Sequence, residues 1–459
     1  MSSNSIKLSL VVFANVFFIV FIGFNLLDLD LALNARITFV VLLLAISLWI
    51  TEIIPAFLTG LLAITLLGLF ADKTSVANVF IGFSNPITLF LFGVLGMGVI
   101  VREIGLGEKM AYILIGLAKS NPVLLFFQTL LSFVVLTFFI PSATTRNAIL
   151  VPVYDEVFNL WKIDPAGDFG KAVTLSLGSL NRLASSAVLT GGIAPIAAAG
   201  LLDMNISWFK WFVLLSIPYY SILFIGGLFL FFIYRKGFQS VEKKNWNLEK
   251  TNLNSDQIKV IVLLLFAGVI WFTDSFHDIH PAIPILIANI ILLLPKFGVV
   301  SWKVVEHGID WGTIILIAAS FSLAFAITDS GLANWIKDLT TNFVELGSNS
   351  TFTVLLMLTV VCSVIRFLIP NIVGYLAIVI PLATLIGTTY GIDPIITGLM
   401  ALILGDGVVF YVSAGTSGIL VFGKGNVPGP EIFRFALLML VICVIVVLFV
   451  GVPWWTFNI

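Results

Sequence analysis

Read for apolar and polar positions, the chain is a succession of long apolar runs broken by short polar connections. A helix that crosses the hydrocarbon of a bilayer needs about 20 mostly apolar residues. By that rule the pattern predicts spanning helices near 8–27, 36–51, 55–71, 86–102, 208–234, 258–276, 281–295, 311–328 and 430–452. The first run follows a polar N-terminus with one lysine. It exceeds the ~7–15-residue apolar core of a signal peptide and no small-residue cleavage site follows, so it reads as a span.

Four stretches resist that reading. Residues 121–156 and 351–389 are apolar at both ends with a proline-centred polar tip, which predicts re-entrant hairpins. Residues 171–203 and 394–424 carry Gly, Thr and Ser at their middles, which predicts helices broken at mid-membrane. Irregular backbone at that depth is tolerated only where it is buried or lines a cavity.

The one long hydrophilic stretch, 235–257, divides the chain, and the halves resemble each other. Trp49-Ile50-Thr51-Glu52 recurs as Trp271-Phe272-Thr273-Asp274, Ile104-Gly105-Leu106-Gly107 as Ser330-Gly331-Leu332-Ala333, and Phe139-Ile140-Pro141 as Leu368-Ile369-Pro370. Pro152 recurs as Pro381, and the offsets drift only through 222, 226 and 229 residues. Such a repeat is the mark of a duplicated transporter fold. With a cytoplasmic N-terminus, 16 Lys and Arg fall inside; only Arg36, Lys73, Lys210 and Lys337 fall outside. That bias obeys the positive-inside rule and makes eleven spans, nine simple and two broken. The expected architecture is an all-α polytopic membrane protein: a helix in 1–35, a first repeat 36–234, a cytoplasmic linker 235–257, and a second, inverted repeat 258–459. The C-terminus is expected outside.

Composition narrows the class. The chain is 60% hydrophobic and 10% charged, against about 25% charged in soluble domains, so its solvent is lipid. A net charge of −1 gives nucleic acid no purchase. Cys362 and Cys443 sit in apolar runs and read as packing residues. No phosphate loop, nucleophile elbow or pair of catalytic carboxylates is present. His277, His280 and His307 lack metal-ligand spacing, and Glu52 and Asp274 read as interfacial residues at helix ends.

The candidate chemistry lies at the tips and breaks. After Pro141, residues Ser142, Ala143, Thr144 and Thr145 open a new helix, whose free N–H groups and positive dipole end attract anions. Hydroxyls add donors, and Arg146 would complement a carboxylate; the alternative is a plain N-cap with a snorkelling arginine. By the 229-residue offset Asn371 stands where Ser142 does and Tyr375 where Arg146 does, with Ile372 between them. This second tip is poorer in oxygens and suits an anion better than a bare cation. The breaks run through Ser185-Ser186, then Thr190, Gly191 and Gly192 in the first half, and through Ser413, Gly415, Thr416 and Ser417 in the second. Aligning Gly191 with Gly415 sets Arg182 opposite Asp406. Ionisable residues in apolar segments are costly and usually paired, so Asp406 is expected to pair with Arg182 or with Arg366, as a structural bridge or a proton relay.

The order of tip, break, divider, tip and break resembles the divalent anion/sodium symporter family, and most of all its citrate/succinate-type antiporters and plastid 2-oxoglutarate/malate translocators. That branch carries a Ser-Asn-Thr-Ala-Arg-like first tip, comparable to Ser142-Ala143-Thr144-Thr145-Arg146, and a Leu-Thr-Gly-x-Ala-Pro-like break, comparable to Leu189 through Pro195. A Gly-Thr-Gly-Ser-like break compares with Gly415-Thr416-Ser417-Gly418. The resemblance implies a homodimer with a fixed scaffold, an elevator motion, and a small di- or tricarboxylate held between the tips. It also implies Na⁺ sites at each tip and neighbouring break, here around Ser142 and Gly191. Ala143 replaces the first Asn, and the second Ser-Asn-Thr has become Asn371-Ile372-Val373. Those departures argue against Na⁺ as a cofactor and for arginines in its place. A fixed charge cannot dissociate, which favours obligatory exchange of anions over Na⁺-coupled symport. An arsenite- or sulfate-type permease, a channel and an intramembrane enzyme rank below these. The loop bias suits a bacterial inner membrane.

Overall fold

A computed structural model of the chain describes residues 15–23, 29–71, 76–117, 121–140, 142–202, 207–241, 252–344, 350–411 and 416–459. The described elements are helices and turns, without strands. Most of the expected first span, 8–27, lies outside the described residues.

Eight helices among the described residues are long and apolar enough to cross a membrane. Six match expected simple spans: Leu33–Thr51, Pro86–Glu103, Trp208–Ile233, Ser255–Phe272, Trp311–Asp329 and Gly429–Asn458. The other two, Thr351–Leu368 and Ile372–Thr389, are the arms of the second hairpin. Each arm has 18 residues and rises about 27 Å at 1.5 Å per residue, so length alone does not separate a hairpin arm from a span. Two expected spans are shorter helices, Ala56–Phe70 and Ala282–Leu293, of 15 and 12 residues. The helices present apolar side chains outward. Val262, Leu265 and Val269 on Ser255–Phe272 are each more than half exposed, an arrangement that lipid, not water, makes favourable.

Positions related by the internal repeat share local geometry. The Trp49 indole donates to Ala56 O at 3.2 Å, and the Trp271 indole to Pro281 O at 3.0 Å. Each bond ties the end of one helix to the start of the next. Gly105 and Gly331 both adopt left-handed φ, 66° and 82°, which a glycine takes without steric cost, and each precedes a short helix, Leu106–Gly116 and Leu332–Val344. Ser142 and Asn371 are the N-caps of the two tip helices, Ala143–Trp161 and Ile372–Thr389. Pro152 and Pro381 lie inside those helices at matching places.

By contact the chain forms two compact units, 1–88 with 197–204 and 310–405, and 89–196 with 205–309 and 406–459. Each repeat contributes to both units. In the first unit a Cβ on Gly60 would lie 3.0 Å from the Ala319 methyl, so Ala56–Phe70 and Trp311–Asp329 pack at close range. The second hairpin is there too, with the Trp49 ring against Gly374 and the Tyr375 ring against Gly405. The second unit holds the first hairpin, the first broken helix as far as residue 196, Trp208–Ile233 and the C-terminal helices. Within it Lys171 Nζ bonds Glu431 Oε1 at 2.7 Å and the Tyr234 hydroxyl bonds Glu431 Oε2 at 3.0 Å.

Candidate anion site at the first tip and the helix breaks

At the first tip Ser142 N bonds Ile140 O at 2.8 Å. Ser142 has extended backbone, and its Oγ accepts from Thr145 N at 3.2 Å, while Arg146 N bonds Ser142 O at 2.9 Å. That is an N-cap. The first-turn N–H groups of such a helix have no acceptor within it. Ser142, Ala143, Thr144 and Thr145 are half-buried, and the next two residues, Arg146 and Asn147, are fully buried.

Arg146 departs from expectation. The sequence suggests a guanidinium facing the anion; in the structure it is 0% exposed and turned into the protein. Nε donates to Asn181 Oδ1 at 2.9 Å, Nη1 to Ile140 O at 2.8 Å, and Nη2 to Asn181 O at 3.1 Å and to the Ser185 hydroxyl. Four of the fork's five N–H donors are thus spent on neutral oxygens. No ion pair involves Arg146 among the described residues. It does not snorkel, because the tip helix carries it into the protein and the Asn181 amide meets it there. Its charge reaches the tip as a field and through the groups it touches.

Asn181 and Asn147, which the sequence reading passed over as site residues, organise the rest. The Asn181 amide donates to Asn147 Oδ1 at 2.7 Å and to Ala143 O at 3.1 Å. The Asn147 amide donates to Leu177 O at 3.0 Å and to Ser417 Oγ at 2.7 Å. Leu177 lies in a five-residue π-turn, Ser176–Leu180, inside the first broken helix. A π-turn leaves the regular helical bonding pattern, and Asn147 meets the Leu177 carbonyl there. The turn also seats the second broken helix: a Cβ on Gly178 would fall 2.2 Å from the Phe422 ring. The signal missed in the sequence was the presence of two amides in apolar segments.

The first break follows Asn181–Ser186. Leu189–Gly191 form one tight turn, Gly192 is extended, and Ile193–Leu201 resumes the helix. A Cβ on Gly191 would lie 2.0 Å from Ser185 O, so the chain folds back against Ser185 only with glycine there. Thr190 Oγ1 accepts from the Trp208 indole, and Ser186 O from the Trp211 indole, each at 3.3 Å. In the second break the helix Pro394–Asp406 ends on Asp406. Ser413 and Gly415 lie outside the described residues, Thr416 opens the helix Thr416–Phe422, and Ser417 meets Asn147. Of the two arginines considered for Asp406, Arg182 lies beside it, with Nη2 2.9 Å from Oδ1 and 2.6 Å from the main-chain O. Ser186, four residues on from Arg182, bonds Oδ2.

The second tip, in the other unit, has its own arginine. Asn371 Oδ1 accepts from Gly374 N at 3.0 Å and borders a cavity of about 300 Å³ with Trp49, Glu52 and Pro55. Ile372 is half-buried. Arg366 is buried, donates Nη1 to Ile369 O and Pro370 O at 2.7 Å each, and stands 6.0 Å from the Tyr375 ring. Ile140 and Ile369 are repeat mates. Each hairpin therefore binds the carbonyl before its tip proline with a buried arginine, supplied by the tip helix in one and the arm in the other. Asp274 is buried, its Oδ2 accepting from Phe209 N at 3.3 Å at the start of Trp208–Ile233; Glu52 is exposed. Among the described residues no group of three His, Cys, Asp or Glu could hold a metal.

These features, all-helical spans, capped tips and broken helices with buried polar joints, define a polytopic membrane transporter. The sequence profile of the sodium:sulfate symporter transmembrane region matches residues 6–459. The chain belongs to that family, which is one of transporters and not enzymes. It is 25% identical over 436 residues to an uncharacterised transporter of Haemophilus influenzae, covering 89% of each chain. It is 24% identical to a citrate/succinate antiporter of Escherichia coli, over 83% of this chain and 81% of that one. It is 23% identical to a sodium-dependent dicarboxylate transporter of Staphylococcus saprophyticus, over 90% and 86%. The crystal structure of the Alcanivorax borkumensis YdaH transporter superposes with a TM-score of 0.57 at 16% identity, covering 84% of this chain and 88% of that one, a likeness of fold.

Proposed function

We propose that the protein is a secondary transporter that exchanges small di- or tricarboxylates, of the succinate, malate, fumarate and 2-oxoglutarate class, across a bacterial inner membrane without Na⁺. The observation that carries this reading is Arg146: a fully buried guanidinium at the first tip, bonded to neutral oxygens. A buried charge left without a counter-charge costs several kcal/mol. An arriving carboxylate relieves that cost, so the loaded carrier is the one able to change conformation. Since the charge cannot leave, return requires a second anion, which is exchange. A citrate/succinate antiporter among the relatives supports the substrate class.

In this reading the two halves are inverted repeats, and Ser142, Thr144, Thr145, Thr190, Gly191, Gly192 and Ser417 hold the substrate at the first tip and the breaks. The N-terminus is cytoplasmic, and a homodimer moves its substrate by an elevator step. Na⁺-coupled uptake is the second reading, favoured by the sodium-dependent relative. Purified protein in liposomes distinguishes them. Labelled succinate or 2-oxoglutarate enters only vesicles preloaded with dicarboxylate, with or without a Na⁺ gradient. Uptake into empty vesicles that requires Na⁺ refutes exchange.

A further inference from the structure

Within the site just described, Ser185 stands apart. It is 2% exposed, at the end of the helix that precedes the first break, and it belongs to none of the tip motifs. A serine inside a helix ordinarily returns its O–H to the carbonyl four residues back. Ser186 gives its one proton to the Asp406 carboxylate instead. Ser185 makes neither bond, and the carbonyl it would use, Asn181 O, receives Arg146 Nη2 at 3.1 Å. The other Nη2 hydrogen goes to Ser185 Oγ.

That bond sets the polarity of the hydroxyl. A serine oxygen offers two lone pairs and one proton. With a guanidinium donating into a lone pair, the proton is what remains to be placed, and among the described residues nothing accepts it. A buried polar group left without a partner is costly. Polarised by a cation, this O–H is also a stronger donor than a free serine. Gly192 faces it without a side chain: a Cβ there would touch Ser185 Cβ at 3.5 Å and lie 4.0 Å from Ser185 Oγ, so the glycine leaves about a methyl's space at the hydroxyl. Ser417 repeats the logic, since its Oγ accepts from the Asn147 amide and, among the described residues, no group takes its proton.

We propose that Ser185 is a substrate-binding residue, the hydroxyl through which the buried charge of Arg146 reaches an anionic oxygen of the transported molecule. Arg146 is then a positioning residue. Ser185 and Ser417 present protons, a pairing that selects acceptor-only groups such as carboxylate or sulfate and is mismatched to a bare cation, which needs lone pairs. The inference deepens the transport reading by naming the group that contacts the anion.

The test uses the full chain in detergent and in liposomes, with Ser185→Ala and Ser185→Cys; the cysteine leaves no cavity, is slightly larger than serine and has only a weak S–H donor. Thermal-shift titration with succinate, and in parallel with sulfate, reads binding. Loss of a hydrogen bond to a charged group predicts affinity lower on the order of 10- to 100-fold in both variants. In liposomes KM for counterflow rises by a similar factor, while the rate at saturation stays within about twofold of wild type. If Ser185→Ala does not fold, Ser185→Cys carries the test alone. Either variant, melting unliganded where wild type melts and binding succinate within threefold of it, overturns the proposal. A wild type that responds to neither anion overturns it as well. A wild type that binds succinate but exchanges nothing removes the exchange reading and leaves Ser185 standing on its binding result.

Discussion

At the scale of single residues, the buried charges have different jobs. Arg146 meets neutral oxygens, whereas Arg182 and Asp406 neutralise each other at 2.9 Å with side chains 13% and 5% exposed. Removing one partner of a buried pair costs about 3–5 kcal/mol, because the other charge is left in a low dielectric. Asp406→Ala and Arg182→Ala should each lower the thermal midpoint and abolish most exchange, while Arg182→Asp with Asp406→Arg recovers a substantial part of both. A double swap no better than the singles means that the polarity of the pair matters in itself, as a relay would require. Asp406→Asn separates these further. It keeps one of the two acceptors but leaves Arg182 without its counter-charge, so a bridge loses stability much as in Asp406→Ala, while a relay loses its pH dependence as well. The sequence narrowed the partner of Asp406 to Arg182 or Arg366, with Arg182 and Asp406 each nine positions before a glycine of their break, and the structure chooses Arg182. The burial of Arg146 was not legible there, since its partners Asn181 and Ser185 come from 35 and 39 residues away, and an isolated motif does not say which way a side chain turns.

At the scale of elements, the sequence pattern placed the helices well because lipid imposes a length and an apolar composition on them. The tips were legible for a similar reason: proline ends a helix, and Ser142 or Asn371 caps the next one. The π-turn at Ser176–Leu180 was not legible. Its cause is tertiary, Asn147 bonding the Leu177 carbonyl and Phe422 occupying the space over Gly178. That contact makes a prediction about the joint between the broken helices. In Gly178→Ala the new methyl would meet the Phe422 ring at 2.2 Å, and overpacking of this kind costs about 1–3 kcal/mol. Exchange should fall roughly tenfold or more. Phe422→Leu added to Gly178→Ala should restore part of the loss, because the ring is the obstacle. Equal activity in Gly178→Ala and wild type would show that the two helices part during transport without needing that contact.

At the scale of the whole molecule, fixed and mobile charge lead to different electrical behaviour. If arginines supply the positive charge, no cation travels with the substrate, and the charge moved per cycle is only the difference between the outgoing and incoming anions. Exchange of one divalent dicarboxylate for another then moves no net charge, because whatever the arginines contribute on the outward step they take back on the return. A membrane potential acts on net charge at about 2.3 kcal/mol per elementary charge per 100 mV. With a K⁺ gradient and valinomycin imposing such a potential, succinate–succinate exchange should keep its rate for either sign of the potential. Exchange of trivalent citrate for divalent succinate moves one charge per cycle and should accelerate for one sign and slow for the other. Cotransport of a dianion with more than two Na⁺ would instead make net succinate uptake into empty vesicles potential-sensitive, so Na⁺-dependent uptake there that follows the potential would place mobile cations in the cycle and take the balancing role away from Arg146.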